Sequence, residues 1–264
     1  VGENHRVVTS PSAPDSQLAK AVTLLTAFTA NDRTLTLAEL RNRTGLAKST
    51  VHRLLGDLVE VGLLDRIGQR YRLSALVFDL GMRASIERRL IEVATPFMED
   101  LYELTHETVH LGVRDGTDVI YVFKIAGHRQ ATSPSRIGGR MPLHCTAIGK
   151  ALLAFGPPEL TQQVVAGGLE RRGPRTITAP GMLSRQLVAC RQRGVAFEAE
   201  ESAVGLTCVA AAILDPDDVA LAAVSVTGPV TRFKPQAHAE AVRAAAAGIS
   251  ATLARRYQPV RTVT

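Results

Sequence analysis

The sequence predicts an α+β chain of two domains, on three observations. Its 264 residues exceed a single ordinary domain of ~100 to 200 residues. Residues 16–74 carry three helical periods and then two short strand runs around a Gly-Gln pair, whereas residues 92–264 alternate helix and strand signals. Between them, 75–91 carries one further helical period, read as a linker helix. Hydrophobic residues at 45% and charged residues at 21% give the balance of a soluble globular protein. No run of ~18 or more uncharged apolar residues offers a membrane span.

Residues 1–15, rich in Ser and Pro, lack apolar periodicity and are expected to form a flexible tail; nothing in them reads as a signal peptide, so a cytoplasmic address is expected. Leu18, Ala21, Val22, Leu25 and Phe28 then recur at steps of three and four, predicting a first helix that ends near Asn31. Thr36 followed by Glu39 is a capping-box pattern for a second helix over 37–43, which Gly45 breaks. A third helix over 48–61 turns Val51, Leu54, Leu55, Leu58 and Val59 inward and ends at Gly62; Ala47 cannot cap it. Runs at 63–67 and 70–73 about Gly68-Gln69 form two strands of a wing. Leu76, Val77, Leu80, Ala84 and Leu90 face one way along the linker helix despite Gly81.

In the larger domain, 93–105 reads as helix, 108–113 and 119–125 as strands, and 146–155 and 183–193 as helices. Strands over 206–214 and 219–227 form a hairpin across Asp215-Pro216-Asp217-Asp218, and an alanine-rich helix over 235–256 closes the chain.

Charge is concentrated. The isoelectric point of 9.6 and net charge of +6 suggest an anionic partner. Between Arg41 and Arg72, seven basic residues stand against three acidic ones. A helix-turn-helix places its second helix in the major groove, with its N-terminal side chains at base edges and its other face on the domain core. The third helix fits: Lys48, Ser49, Thr50, His52 and Arg53 lie off its apolar face, and Arg70 and Arg72 on the wing reach a neighbouring phosphate or groove. Taken singly each is as well explained as solvated surface or a cap; the wing and the helix pair together favour double-stranded DNA. One short recognition helix reads too few base pairs, so two copies on a partly palindromic operator are expected.

The run LRNRTGLAKSTVHRLLGDL at 40–58, Gly62 and the wing RYRL at 70–73 resemble the IclR family of bacterial transcriptional regulators. PLHCTAIGKALLA at 142–154, and the stretch from Arg193-Gly194 through Glu200-Glu201 to GLTCVA at 205–210, resemble two further family signatures, so the match spans about 17–256. The resemblance implies a winged helix-turn-helix over 16–74, the linker helix, and an effector-binding domain over 92–264 of GAF-like shape, an antiparallel sheet with helices on its sides. It also implies homodimers that pair into tetramers, and a repressor that responds to a small organic effector.

Free amides at the start of the helix near Ala147, Ile148 and Gly149 would attract an anionic group of the effector; close packing of helix on sheet is the alternative reading of these small residues. Ser225 and Thr227 share a strand face, as do Cys208, Ala210 and Ala212, leaving room above them. The resemblance carries the effector site to Ala147, Ile148, Glu198, Cys208, Ser225 and Thr227, with Met141 as an apolar wall. Glu198 in place of a shorter Asp, and the bulk of Ile148, point to an effector other than a small keto acid.

An enzymatic reading lacks a GxSxG, GxGxxG or P-loop sequence, and His144-Cys145 are neighbours whose side chains point apart on an extended segment. Three widely spaced cysteines offer neither a disulfide framework nor a zinc site, and no metal or cofactor is expected. A protein-binding role for the larger domain is the remaining alternative; the polar residues facing the site weigh against it, because buried polar groups need partners.

Overall fold

The structure, a computed structural model, describes residues 16–29, 32–83, 85–128 and 134–256; the tail expected over 1–15 lies outside them. The chain divides into two compact units, 1–84 and 85–264.

In the first unit α1 (Gln17–Thr26) begins at Ser16, whose Oγ accepts the Ala19 amide. It stops at Thr26, short of the expected end. β1 (Leu35–Thr36) leads into α2 (Leu37–Thr44), where the capping box forms: Thr36 Oγ1 accepts the Glu39 amide at 3.2 Å and Glu39 Oε2 accepts the Thr36 amide at 2.7 Å. Gly45 takes the left-handed φ of +69° that ends the helix. α3 (Lys48–Glu60) starts at Ala47 with no side-chain cap. The wing is β2 (Leu64–Ile67) against β3 (Arg70–Leu73), with Asp65 opposite Arg72 and Ile67 opposite Arg70. β1 adds a third strand on the other edge of β3. Leu24, Leu40, Val51, Leu54, Leu55, Leu58, Leu64 and Tyr71 pack into one core, so the apolar stripe of α3 is what fixes the helix against α1, α2 and the wing. α4 (Ala75–Met82) follows a Ser74 cap and leaves Leu76, Phe78 and Leu80 exposed.

The second unit opens with α5 (Ser85–Thr105). The helices expected over 75–91 and 93–105 are thus α4 and a single 21-residue α5 that runs through Pro96. The physical reason is that no breaker separates Ile91 from Val93: Leu90, Val93, Ala94, Met98 and Leu101 keep one helical stripe, and all are buried. Then come β4 (Thr108–Asp115), β5 (Asp118–Ile125), β6 (Arg140–Pro142), a 3-10 turn (Leu143–Cys145), α6 (Ala147–Ala154), α7 (Pro158–Ala166) and α8 (Pro180–Arg193). β7 (Ala196–Ala199), β8 (Leu206–Leu214), β9 (Ala220–Pro229), a second 3-10 turn (Pro235–His238) and α9 (Ala239–Arg256) complete it.

The strands form one antiparallel six-stranded sheet in the order β6-β5-β4-β9-β8-β7, flanked by helices. Alternation along each strand divides its residues between two layers. Val109, Leu111, Val209, Ile213, Val224 and Val226 join the core of α5 and α9. Tyr121, Cys208, Ala210 and Ala223 turn the other way, into the core of α6, α7 and α8. Small side chains on this second face leave a gap beneath α6.

Candidate functional site

The first unit presents the basic surface. Lys48, Ser49, His52 and Arg53 are exposed on the opening turns of α3, with Thr50 half-buried beside them. Without a side-chain cap, the first amides of α3 add the positive end of the helix dipole to that surface. The arginines already hold partners within the unit. Arg53 donates to Asp57 Oδ2 at 3.1 Å, an oxygen that Gln17 also contacts at 3.2 Å. Arg70 donates to Thr34 Oγ1 at 2.7 Å and lies 3.4 Å from Glu39 Oε2, while Arg72 donates to Asp65 Oδ2 at 2.8 Å. These pairs are solvent-exposed and correspondingly weak. Arg66, one of the seven basic residues of the run but not among the expected contacts, is exposed on the wing and donates to Gly68 O at 3.0 Å.

In the second unit a cavity lies between the sheet and α6. Its walls include Met141, Ala147, Ile148, Glu198, Cys208, Ser225 and Thr227, seven of the eight positions expected for an effector. Gly149 is not among them. Its amide donates to Thr146 Oγ1 at 3.0 Å, and an added Cβ would stand 2.1 Å from the Leu143 carbonyl oxygen, so Gly149 serves close packing of α6 on the 3-10 turn. His110, Tyr121, Ser135, Thr146, Ser202 and Leu206 also line the cavity and were not found from sequence. His110 had a signal: Thr108, His110 and Gly112 alternate with Val109 and Leu111, which marks a polar inward face. The cavity measures about 20 Å³, room for about one water molecule.

Strand register explains how distant residues meet. Glu198, Cys208, Thr227 and Thr108 stand abreast on four adjacent strands, and Ala210, Ser225 and His110 form the next row. Thr227 Oγ1 donates to Cys208 Sγ at 3.1 Å and lies 3.4 Å from His110 Nδ1. His110 Nε2 and Ser135 Oγ share a hydrogen bond at 2.7 Å. Burial, with a smaller push from the Lys124 charge, lowers the His110 pKa to about 3, so the ring is neutral. Burial likewise drives the Tyr121 phenol upward, and burial with the Glu198 charge raises the Cys208 thiol well above its ordinary value.

Glu198 is 1% exposed. Its Oε1 accepts the Glu201 amide at 2.7 Å, the Ser202 amide at 3.0 Å and Ser202 Oγ at 3.2 Å, whereas Oε2 has no hydrogen-bond partner among the described residues. Behind it, Lys150 Nζ donates to Glu201 Oε1 at 2.6 Å and Gln186 Oε1 at 2.7 Å. Burial raises the Glu201 carboxyl despite the opposing pull of Lys150. The tempting pair His144-Cys145 is engaged separately: His144 Nε2 meets Glu170 O at 2.9 Å, and Cys145 Sγ meets Pro142 O at 3.6 Å. Burial pushes the Cys145 thiol up to about 12, the opposite of an activated nucleophile. Among the described residues, no helix is long and apolar enough to cross a membrane.

Comparison with known proteins bears on both sites. The family model of the bacterial transcriptional regulator IclR C-terminal domain matches residues 83–251, and that of the IclR helix-turn-helix domain matches 17–68. The HTH-type transcriptional regulator KdgR of Escherichia coli is 36% identical over 205 residues, 76% of this chain and 78% of KdgR. The transcriptional repressor IclR of the same organism is 31% identical over 238 residues, 88% of this chain and 87% of its own length. The crystal structure of an IclR homologue from Microbacterium hydrocarbonoxydans, complexed with 4-hydroxybenzoate, superposes with a TM-score of 0.85 at 31% identity, covering 92% of this chain and all (100%) of that one.

Proposed function

The chain belongs to the IclR family of bacterial transcriptional regulators, which join a DNA-binding helix-turn-helix to an effector-binding domain, and from that premise we propose that it is a cytoplasmic, non-enzymatic repressor whose operator affinity responds to an organic or aromatic acid. Lys48, Ser49, Thr50, His52 and Arg53 read the major groove of a partly palindromic duplex, and Arg70 and Arg72 hold flanking phosphates. The protein acts as a dimer or a dimer of dimers. The carrying observation is the cavity of the second unit, where a polar row from four strands faces the start of α6. Such a site offers fixed donors to an anionic head and hydrocarbon from Met141 and Ile148 to the remainder. A structural neighbour complexed with 4-hydroxybenzoate supports an aromatic acid. The domain boundaries proposed are 16–74 for DNA binding, 75–91 as linker and 92–264 for the effector.

The test begins with an operator selected from random duplex DNA and read by fluorescence anisotropy at several salt concentrations. Affinity should fall steeply with salt, and Arg53→Ala should weaken binding by about 1–3 kcal/mol. An unchanged affinity in the combined Lys48→Ala, Arg53→Ala and Arg70→Ala protein would show that the reading surface lies elsewhere. Acids that raise the melting temperature should also shift operator affinity, and Ser225→Leu should abolish that response while operator binding persists.

A further inference from the structure

We infer that a groove between α9 and the outer edge of β8 binds an extended peptide segment of a partner protein, which joins the sheet as an added strand. The groove measures about 450 Å³ and shares no lining residue with the effector cavity. That volume falls within the ~300–1,000 Å³ of ligand pockets. It exists because β7 is short. β7 pairs with β8 only as far as Ala196 opposite Ala210, and the chain before it is turned away at Gly194, the left-handed cap of α8 with φ +73°. β8 itself runs on to Leu214. Leu206 O accepts the Glu200 amide on the β7 side of the strand, whereas Gly205 O accepts the Val230 amide on the β9 side. By alternation, the backbone of Ala212 faces away from β9. Its N–H and C=O have no hydrogen-bond partner among the described residues, while the Leu214 amide donates to Ser250 Oγ of α9 at 2.9 Å.

An open strand edge selects its occupant. Another extended backbone brings a donor and an acceptor at strand spacing, whereas a helix has spent both on itself and a lipid tail has neither. Alternate side chains of that strand turn to opposite faces of the sheet. On one face they meet Ala246, Ala247 and Ala251 of α9, small enough to leave room for branched apolar groups, and on the other they meet Phe155. From Arg243 to Ala254, both in the groove wall, α9 rises about 16 Å at ~1.5 Å per residue, a length that about five extended residues cover at ~3.3 Å each. Charge sets the direction. Asp215 and Asp218 stand where β8 turns into β9, and Arg243, whose stem passes over Gly194, stands at the other end. Arg243 is otherwise paired at the surface with Glu240. Every pairing in this sheet is antiparallel, and a strand laid antiparallel to β8 enters beside Asp215 and leaves beside Arg243. The segment that fits therefore begins with a basic residue, continues with β-branched or apolar ones and ends on a carboxylate.

The probes are synthetic peptides of about five residues, with arginine first, glutamate and a free carboxylate last, and valine, threonine, alanine, leucine or isoleucine at each position between. Each carries a dye on a neutral linker at its N-terminus and is titrated into the full chain by fluorescence anisotropy. The tightest member should bind at least about tenfold better than the same peptide with its central amides N-methylated, a change that keeps the side chains and removes the strand donors. Exchanging its two end residues should weaken it severalfold. On binding, the Ala212 amide should become protected from hydrogen exchange. Ala247→Leu, at an exposed position of α9 inside the groove, should weaken the peptide severalfold while operator affinity and melting temperature hold. No binding by any member, or binding indifferent to N-methylation, would overturn the inference. Binding that required deletion of residues 257–264 would give the groove to the chain's own end. An oligomer that Ala247→Leu dissociates, with no peptide bound, would give it to a second copy. Either result overturns a partner peptide.

Discussion

At His110 the folded chain withholds a proton that water would supply. The ring is buried beside Tyr121, 5.1 Å between centroids, within the field of the Lys124 cation, and its pKa is lowered to about 3. An unfolded histidine titrates near ~6.5, so between these values the unfolded state binds more protons and stability rises with pH. The neutral imidazole's contribution is complete above about pH 6.5 and is lost as pH falls toward 3. At pH 5 the loss should be about 2 kcal/mol. Urea unfolding of the wild type and His110→Gln at pH 7.5 and 5.0 reads this directly: the wild type should lose about 2 kcal/mol more than the variant on acidification. Equal losses would mean that the ring is not held neutral. The same residue shows the limit of the sequence. Cys208, Ser225 and Thr227 were legible as cavity-facing positions because alternation along one hairpin places them on shared faces, and for Cys208 a family signature adds to it. His110, Tyr121, Ser135 and Ser202 come from segments whose meeting depends on strand register, and register is not written in local periodicity.

Helix α6 is an apolar element with a cation inside it. All eight of its residues are buried, and Lys150, at 1% exposure, ties it to Glu201 and to Gln186 on α8. Removing one member of a buried pair leaves the other charge uncompensated, so Lys150→Met should destabilise by about 3–5 kcal/mol. Adding Glu201→Leu should recover much of that, because both charges are then gone. Chemical denaturation of the two single variants and the double variant measures the coupling; a double variant as unstable as the sum of the singles would place the stability of α6 in its packing alone. Elements this strongly marked were readable in advance: the Thr36–Glu39 box, the stripe of α3 and the hairpin of β8 and β9. β1, β6 and β7, of two to four residues, are too short to show a period. α7 did carry an unread signal, Pro158 at its first position followed by Glu159 in its first turn.

For the whole chain, reading and sensing belong to different compact units, the basic surface to residues 1–84 and the cavity to 85–264. Any influence of effector on operator is then a coupling free energy, and it is reciprocal: operator DNA must change effector affinity by the same factor that effector changes operator affinity. The cavity's size adds a kinetic side to this. A void of about 20 Å³ has no space for an acid of six or more heavy atoms until its lining moves aside. Entry of such an acid would then require the lining to move, and the fraction of time it stands open would divide directly into the measured affinity. The chain contains four tyrosines and no tryptophan, and Tyr121 stands in the cavity wall, so stopped-flow tyrosine fluorescence can follow arrival. The observed rate should climb with effector concentration and then level off at the speed of opening. A rate that rose without limit toward diffusion control would describe a door already open. With such a step, the regulator's response to a sudden rise in effector would have a ceiling that belongs to the protein and not to the supply of ligand.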